Sequence, residues 1–195
     1  MTGRAHDGGQ RPEEAGSLNF VDPEDRFWCH AAPFDLNPHA QKLLDWWLAR
    51  RADNDGRLPR RGQFRPDEMQ PLLRGMVLTD VLDGGQTFRY RLVGTAITEI
   101  AGRDATGRTL DRTLYGDRCS RFVVPYRVTV ERCAPVTMLS AVQFADRWTI
   151  AEIIQLPLAV SWEREDVEMV MAHVHLRDPR DSEEIESALL AILPV

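Results

Sequence analysis

At Gly75 the apolar residues of this chain change from helical spacing to alternation. The stretches MVLTDVL and TFRYRLVG alternate in this way on either side of the turn sequence DGGQ, which predicts a β-hairpin. Three more strands are predicted at 135–144, 147–160 and 167–176, whereas residues 95–133 carry helical patterns. The order of two strands, helices and three strands predicts an α+β domain, in which helices cover one face of a single antiparallel sheet.

An amphipathic helix is predicted before the sheet. Asn37 is expected at its N-cap, Pro38 in its first turn and Gly56 just past its end. Its apolar stripe consists of Leu43, Leu44, Trp47 and Leu48.

A second flanking helix is predicted near the C-terminus, at 182–193, from an apolar stripe spaced by three and four residues. The expected domain organisation has an irregular or disordered extension over 1–36, followed by flanking helices and a linker over 37–74. The sheet domain then spans 75–178, and the closing helix lies within 179–195.

The composition argues against several classes of function. With 24 basic and 30 acidic side chains, the net charge of −6 disfavours nucleic-acid binding through bulk electrostatics. Three cysteines without a close pair predict no disulfide framework, which is typical of a reducing cytosol. The first residues lack the apolar core of a secretory leader, and no apolar stretch reaches the roughly 18 residues of a membrane span. We therefore expect a cytoplasmic protein that contacts neither nucleic acid nor membrane.

Two stretches of the chain resemble a known family. They are LPRRGQFRPDEMQPLL and FRYRLVGTAITEIAGRDATGRTLD, and together with the element order they are similar to the PAS sensory fold, in particular to stand-alone PAS proteins of alphaproteobacteria. The resemblance covers about residues 40–178. It implies a five-stranded antiparallel sheet with helices folded over one face, often around a small cavity.

The glycines of the second stretch are interpreted as turn residues. Gly94 lies where the second strand must turn into a helix, Gly102 where that helix must end, and Gly107 in a further turn. Such positions favour a positive φ or a close backbone approach. The spacing does not match a phosphate-binding loop, because no lysine follows and the strand-to-helix distance is wrong.

The resemblance implies a bacterial sensory or regulatory protein that acts in signal transduction by binding a protein partner and a small ligand. No kinase, cyclase, phosphodiesterase or DNA-binding segment is recognised in the chain, and no catalytic motif is found, so a non-enzymatic role is expected. The alternatives are a dimeric adaptor without a ligand, or an enzyme that uses Glu152 or His173. No cofactor is assigned.

Both faces of the predicted fourth strand are largely apolar, and this predicts a second cover for the sheet. Trp148, Ile150 and Ile154 share one face, while Ala151 and Ile153 share the other. The second face must be hidden by the first flanking helix, by the closing helix or by a second subunit. Because PAS relatives commonly dimerise through a flanking helix, a homodimer is expected.

Eight aromatic and aliphatic residues are candidates for lining a ligand cavity between strands and helices. Packing of the core without a ligand is the alternative for each of them. The candidates are Tyr90, Leu92, Ile97, Phe122, Tyr126, Met138, Trp148 and Met171.

Two other groups of polar residues suggest chemistry. Four arginines, at positions 89, 91, 103 and 108, could surround an anion, but the interspersed acidic residues favour structural ion pairs. His173 and His175 share one face of the last strand and could form half of a metal site, yet no third ligand is predicted beside them, so no metal is assigned.

The helical region lacks the signatures of cofactor-binding relatives. Residues 95–133 contain no histidine that could bind haem. Cys119 lies in GDRCSRF, which departs from the flavin-binding Asn-Cys-Arg-Phe-Leu-Gln motif at the preceding Asn and the following Leu-Gln. Cys119 is therefore interpreted as a structural thiol.

Overall fold

The structure is a computed structural model, and it describes residues 35–144, 147–180, 182, 184 and 189–194. It contains four α-helices, six strands and short 3-10 helical turns within those residues. The α-helices are α1 (Pro38–Asp53), α2 (Thr95–Ala101), α3 (Arg112–Tyr115) and α4 (Cys119–Arg132). The strands are β1 (Met76–Leu82), β2 (Thr87–Val93), β3 (Val136–Phe144), β4 (Arg147–Leu158), β5 (Met169–Arg177) and β6 (Leu189–Pro194).

All strands belong to one sheet, in the order β2-β1-β5-β4-β3-β6. Every pairing within it is antiparallel. The hairpin β1–β2 joins the later strands because β1 also pairs with β5, where Met76 lies opposite His173. The prediction of an antiparallel α+β fold is confirmed.

The sheet has helices on both faces. Thr129 of α4 donates a hydrogen bond to Gln155 of β4 at 2.8 Å, and we call this side the α4 face. His39 of α1 packs edge-on against His173 of β5, with ring centroids 5.3 Å apart, on what we call the α1 face. Alternation along each strand assigns the remaining side chains to one face or the other.

Helix α1 forms as its sequence predicts. The side chain of Asn37 caps it by accepting hydrogen bonds from the backbone N–H groups of His39 and Ala40, and Pro38 occupies its first turn. Leu43 and Trp47 are fully buried, and the Trp47 indole donates to the Pro157 carbonyl at 2.8 Å. Helix α1, the first flanking helix, therefore covers the second apolar face of the sheet. It is one of the three covers that were expected.

Gly94 and Gly102 bound α2 as predicted, for two different reasons. Gly102 ends the helix in a left-handed conformation with φ of 65°. Gly94 has an ordinary φ of −66°, but a Cβ on it would lie 2.3 Å from the Arg74 carbonyl oxygen. Close approach of two backbones accounts for this glycine.

The predicted closing helix is wrong for residues 189–194. Ser182 and Glu184 are helical, but Leu189–Pro194 forms β6, which pairs with β3 from Val136 to Ser140. The physical reason is the open edge of β3, whose unpaired backbone N–H and C=O groups bind another strand.

Helix α4 is continuous through Pro125. No helix among the described residues is long and apolar enough to cross a lipid bilayer.

Candidate ligand-binding site

Five aromatic residues meet between the sheet and the helices on the α4 face. Phe88 and Tyr90 project from β2, Tyr115 ends α3, and Phe122 and Tyr126 lie one turn apart on α4. We call them the aromatic cluster. Strand alternation places the two β2 rings on one side, and helical spacing places the two α4 rings above them.

The rings of the cluster contact one another in three pairs. Tyr115 stacks on Phe122 with centroids 3.7 Å apart and ring planes at 11°. Tyr90 meets Tyr115 edge-on at 6.5 Å, and Phe88 lies 5.4 Å from Tyr126. Offset and edge-on geometries of this kind are the favourable arrangements of aromatic quadrupoles.

The hydroxyl groups of the cluster are hydrogen-bonded in pairs. The Tyr90 and Tyr115 hydroxyls are 2.7 Å apart, and the Thr79 hydroxyl of β1 donates to the Tyr126 hydroxyl at 3.1 Å. Each hydroxyl has one hydrogen to donate, and one bond uses one hydrogen. Thr79 and Tyr126 are both buried, so their pair leaves one hydroxyl hydrogen inside the protein without an acceptor among the described residues.

The phenols of this site stay protonated at neutral pH. Burial raises the pKa of Tyr126 and, together with the neighbouring tyrosines, that of Tyr90. Burial also raises the pKa of Tyr115. Arg103 lies over the Tyr115 ring at 5.5 Å and donates to the Leu114 carbonyl at 3.0 Å. The site therefore offers neutral hydroxyls and flat apolar surfaces.

Four of the eight cavity candidates lie on the α4 face, and a fifth packs against the main core. Tyr90, Phe122 and Tyr126 belong to the aromatic cluster, and Ile97 of α2 packs against the core that contains two of them. Met138 packs separately, with Val128 and other residues of α4 and β3.

The structure adds Phe88 and Tyr115, which are not among the eight candidates. Phe88 could have been found, because it is two residues from Tyr90 on a strand. Nothing in the local sequence indicates that Tyr115 stacks on Phe122.

The other three candidates do not face the aromatic cluster. Trp148 and Met171 lie on the α1 face, where Met171 is fully buried and Trp148 packs against Ile150. Leu92 is also on that side and is 43% exposed. A β-bulge explains Leu92, because the register shift between Leu78 and Thr79 leaves Arg91 as an extra residue in β2.

The arginines do not form one anion pocket. Arg89 and Arg91 are both about half exposed, and both bind Asp80, at 2.9 and 2.8 Å. Burial raises the pKa of Asp80, but the hydrogen bonds from Arg91 and Arg89 outweigh it and hold the pKa below its ordinary value. Arg103 contacts Tyr115 on the opposite face, so the interpretation as structural ion pairs is supported for the first two.

His173 is buried on the α1 face. Burial, with smaller contributions from His39 and His175, lowers its pKa to about 4, and its Nδ1 is buried without a hydrogen-bond partner. In the part of the chain that the structure describes, no three His, Cys, Asp or Glu side chains are grouped so as to hold a metal ion. The ring is therefore a neutral packing element at neutral pH.

The remaining reactive candidates are engaged in structural contacts. Glu152 accepts hydrogen bonds from Asn37 at 3.1 Å and from Arg177 at 2.6 Å. The thiol of Cys119 is partly buried, which raises its pKa, and it lies 3.8 Å from the Leu110 carbonyl oxygen. Such a thiol is not an activated nucleophile.

An antiparallel sheet with an aromatic interior beneath helices places the protein in the class of α+β domains. Within this class, the sequence profile of the PAS domain family matches residues 36–170, so the chain belongs to the PAS domain family. No curated protein matches the chain. PAS domains suggest a role in sensing or signalling, and the family assignment supports that general role here.

Proposed function

We propose that this protein is a cytoplasmic, non-enzymatic PAS regulator that binds a small ligand at the aromatic cluster and passes its state to a protein partner. The observation that carries the proposal is the unused hydroxyl hydrogen of the Thr79–Tyr126 pair. A buried donor without an acceptor is costly, and a ligand with a carbonyl or other acceptor oxygen would satisfy it.

The chemistry of the residues at the cluster favours a flat molecule with a polar edge. The rings of Phe88, Tyr90 and Tyr126 are buried and offer apolar faces, while the hydroxyls lie at their ends. Such a combination of aromatic walls and a few placed polar groups is typical of small-molecule sites. Charged ligands fit less well, because the phenols are neutral and Arg103 is engaged with Leu114 and Tyr115.

The same helix that supplies Tyr126 also contacts the sheet through a polar pair. Thr129 donates to Gln155 at the centre of β4, one turn beyond Tyr126. A ligand at the cluster would therefore shift the balance between docked arrangements of α4, and a partner that reads α4 would respond to it.

The test is native mass spectrometry of the freshly purified protein, which should show a retained small molecule. Tyr126→Phe removes the hydroxyl and should weaken retention about tenfold, as expected for one lost hydrogen bond. Met171→Leu is the matched control, because it changes a buried residue on the opposite face with little change of volume. Retention that is equal in the two variants would contradict the assignment of the site.

One observation favours an adaptor without a ligand as the second candidate. The 3.7 Å stack of Tyr115 on Phe122 leaves no gap between these two rings. If wild-type protein carries no small molecule and none is taken up, the domain acts through protein contacts alone. The enzyme alternative has less support, because Glu152 is already bound to Asn37 and Arg177.

A further inference from the structure

Arg60 is a buried cation at the edge of the fold. It lies just before the 3-10 turn Arg61–Gln63 and forms a parallel bridge with Ala159, just after β4 ends. Only 1% of its surface is exposed. It shares no residue with the aromatic cluster, so a binding role for Arg60 is independent of the proposed function.

The guanidinium of Arg60 uses only part of its hydrogen-bonding capacity. Nη1 donates to the Leu58 carbonyl at 2.7 Å. Nε and Nη2 are both buried and have no hydrogen-bond partner, and no carboxylate among the described residues forms an ion pair with this side chain. Nε and Nη2 form one edge of the planar fork, and that edge matches the two oxygens of a carboxylate.

The guanidinium group is not deprotonated in proteins, so a buried arginine keeps its positive charge. Buried charges in proteins are otherwise paired, and an unpaired one is strongly unfavourable. A complete donor edge left free at such a position therefore indicates an anion that is bound in the working protein.

The face of the guanidinium is covered by Trp162. The Arg60 Cζ lies 4.9 Å from the centroid of the indole ring, within cation–π distance. The indole itself is 62% exposed, so its other side faces solvent and little packing holds it in place. The neighbouring Ser161 hydroxyl is a further buried group without a partner.

Three acidic residues near Trp162 in the sequence bind other groups than Arg60. Glu165 pairs with Arg57, and Asp166 with Arg164. Glu168 accepts hydrogen bonds from the backbone N–H groups of Val160 and Ser161. A dianion such as phosphate would be repelled by this acidic loop, whereas a monovalent carboxylate matches the single positive charge.

We propose that the Nε–Nη2 edge of Arg60, beneath Trp162, binds the carboxylate group of a small organic acid. The two parallel N–H···O bonds fix the carboxylate in the plane of the guanidinium, and the Ser161 hydroxyl offers one more donor on the same loop. The indole lies over the face of the guanidinium and leaves the plane of its fork to the carboxylate.

Titration of ¹⁵N-labelled wild-type protein tests this directly. The Arg60 Nε–H resonance should shift in a saturable way with sodium acetate, and much less with phosphate or chloride at equal ionic strength. A capped glutamate with both termini blocked represents a partner's side chain. Tighter binding of acetate assigns the site to free acids, and tighter binding of the capped residue assigns it to a protein carboxylate.

Arg60→Lys keeps the charge but loses the fork, so its affinity for acetate should fall about tenfold or more. Arg61→Lys is the matched control, because Arg61 lies over Phe64 at the surface of the same turn and should bind as wild type. If Arg60→Lys does not fold, the response of the wild-type Arg60 Nε–H resonance to acetate still tests the proposal. An Arg60 resonance that does not respond to either carboxylate, or responds equally to phosphate, overturns the proposal.

Discussion

His173 is an imidazole that the fold keeps neutral. Its ring is 2% exposed, and a Cβ on Gly75 would lie 2.8 Å from its Nε2, so only glycine allows this packing. The other titratable groups around it are His39 of α1, His175 of β5 and, one residue pair along the sheet, Glu152 of β4. His39 of the helix and His175 of the strand therefore both disfavour protonation of His173.

Protonation of His173 should make stability depend on pH. The pKa of His173 falls from 6.5 to about 4 on folding. Between these pH values the unfolded chain therefore binds a proton that the folded protein does not bind. The free energy of unfolding should therefore decrease as the pH falls from about 6.5 to about 4, by at most about 3 kcal/mol. His173→Gln should reduce this slope, which urea unfolding at pH 4.5 and 7.5 measures.

The matched control is His175→Gln, on the same face and strand but only partly buried. It removes only a smaller contribution to the lowered pKa of His173, so it should change the pH dependence less than His173→Gln does. Equal slopes for wild type and His173→Gln would show that the ring is not the source of the effect.

Strand β6 protects the edge of β3. Its pairing runs from Val136 to Ser140, so the backbone of most of β3 is bonded on both sides. A protein that ends after residue 188 should lose several of these bonds, at about 1 kcal/mol net for each. It should also expose a strand edge that associates with other copies.

Chemical unfolding together with light scattering measures both effects of this truncation. Removal of Val195 alone is the control, because β6 ends at Pro194. If the truncated protein had the same free energy of unfolding and the same oligomeric state as the full chain, β6 would contribute nothing to the sheet.

The elements that the sequence predicts well are those defined by local signals. The N-cap Asn37, the Gly-Gly turn of the β1–β2 hairpin and the left-handed Gly102 all act through neighbouring backbone. The predictions fail where contacts with backbone that is distant in the sequence determine the structure. A helix-like apolar run at 189–194 pairs with β3, and the bulge at Arg91 turns Leu92 to the other face. Strand alternation shows which residues share a face, but not which helix covers it.

The residues that the structure describes form three layers, with α1 on one side of the sheet and α4 on the other. Because α1 buries Leu43 and Trp47 against the sheet, the apolar second face does not by itself require another subunit. The proposal of a homodimer therefore depends on the remaining exposed apolar side chains. Among the residues that the structure describes, these are Leu48, Leu92, Val160 and Trp162.

Light scattering at micromolar concentration tests the dimer. Leu48 is on the solvent side of α1 and 51% exposed, so Leu48→Glu should shift a dimer formed through α1 towards monomer. Leu92→Glu, on the far edge strand β2, is the control and should leave that dimer intact. A monomeric wild type removes the proposal.

Strand β4 links the two helical layers through neighbouring side chains of opposite direction. Gln155 is tied to Thr129 above the sheet, while Glu152, three residues earlier, is tied to the cap of α1 below it. A stimulus that displaces α4 would thus reach the start of α1 through the extended backbone of β4. Because the two contacts lie only three residues apart on this strand, such a displacement would cross the sheet without a hinge.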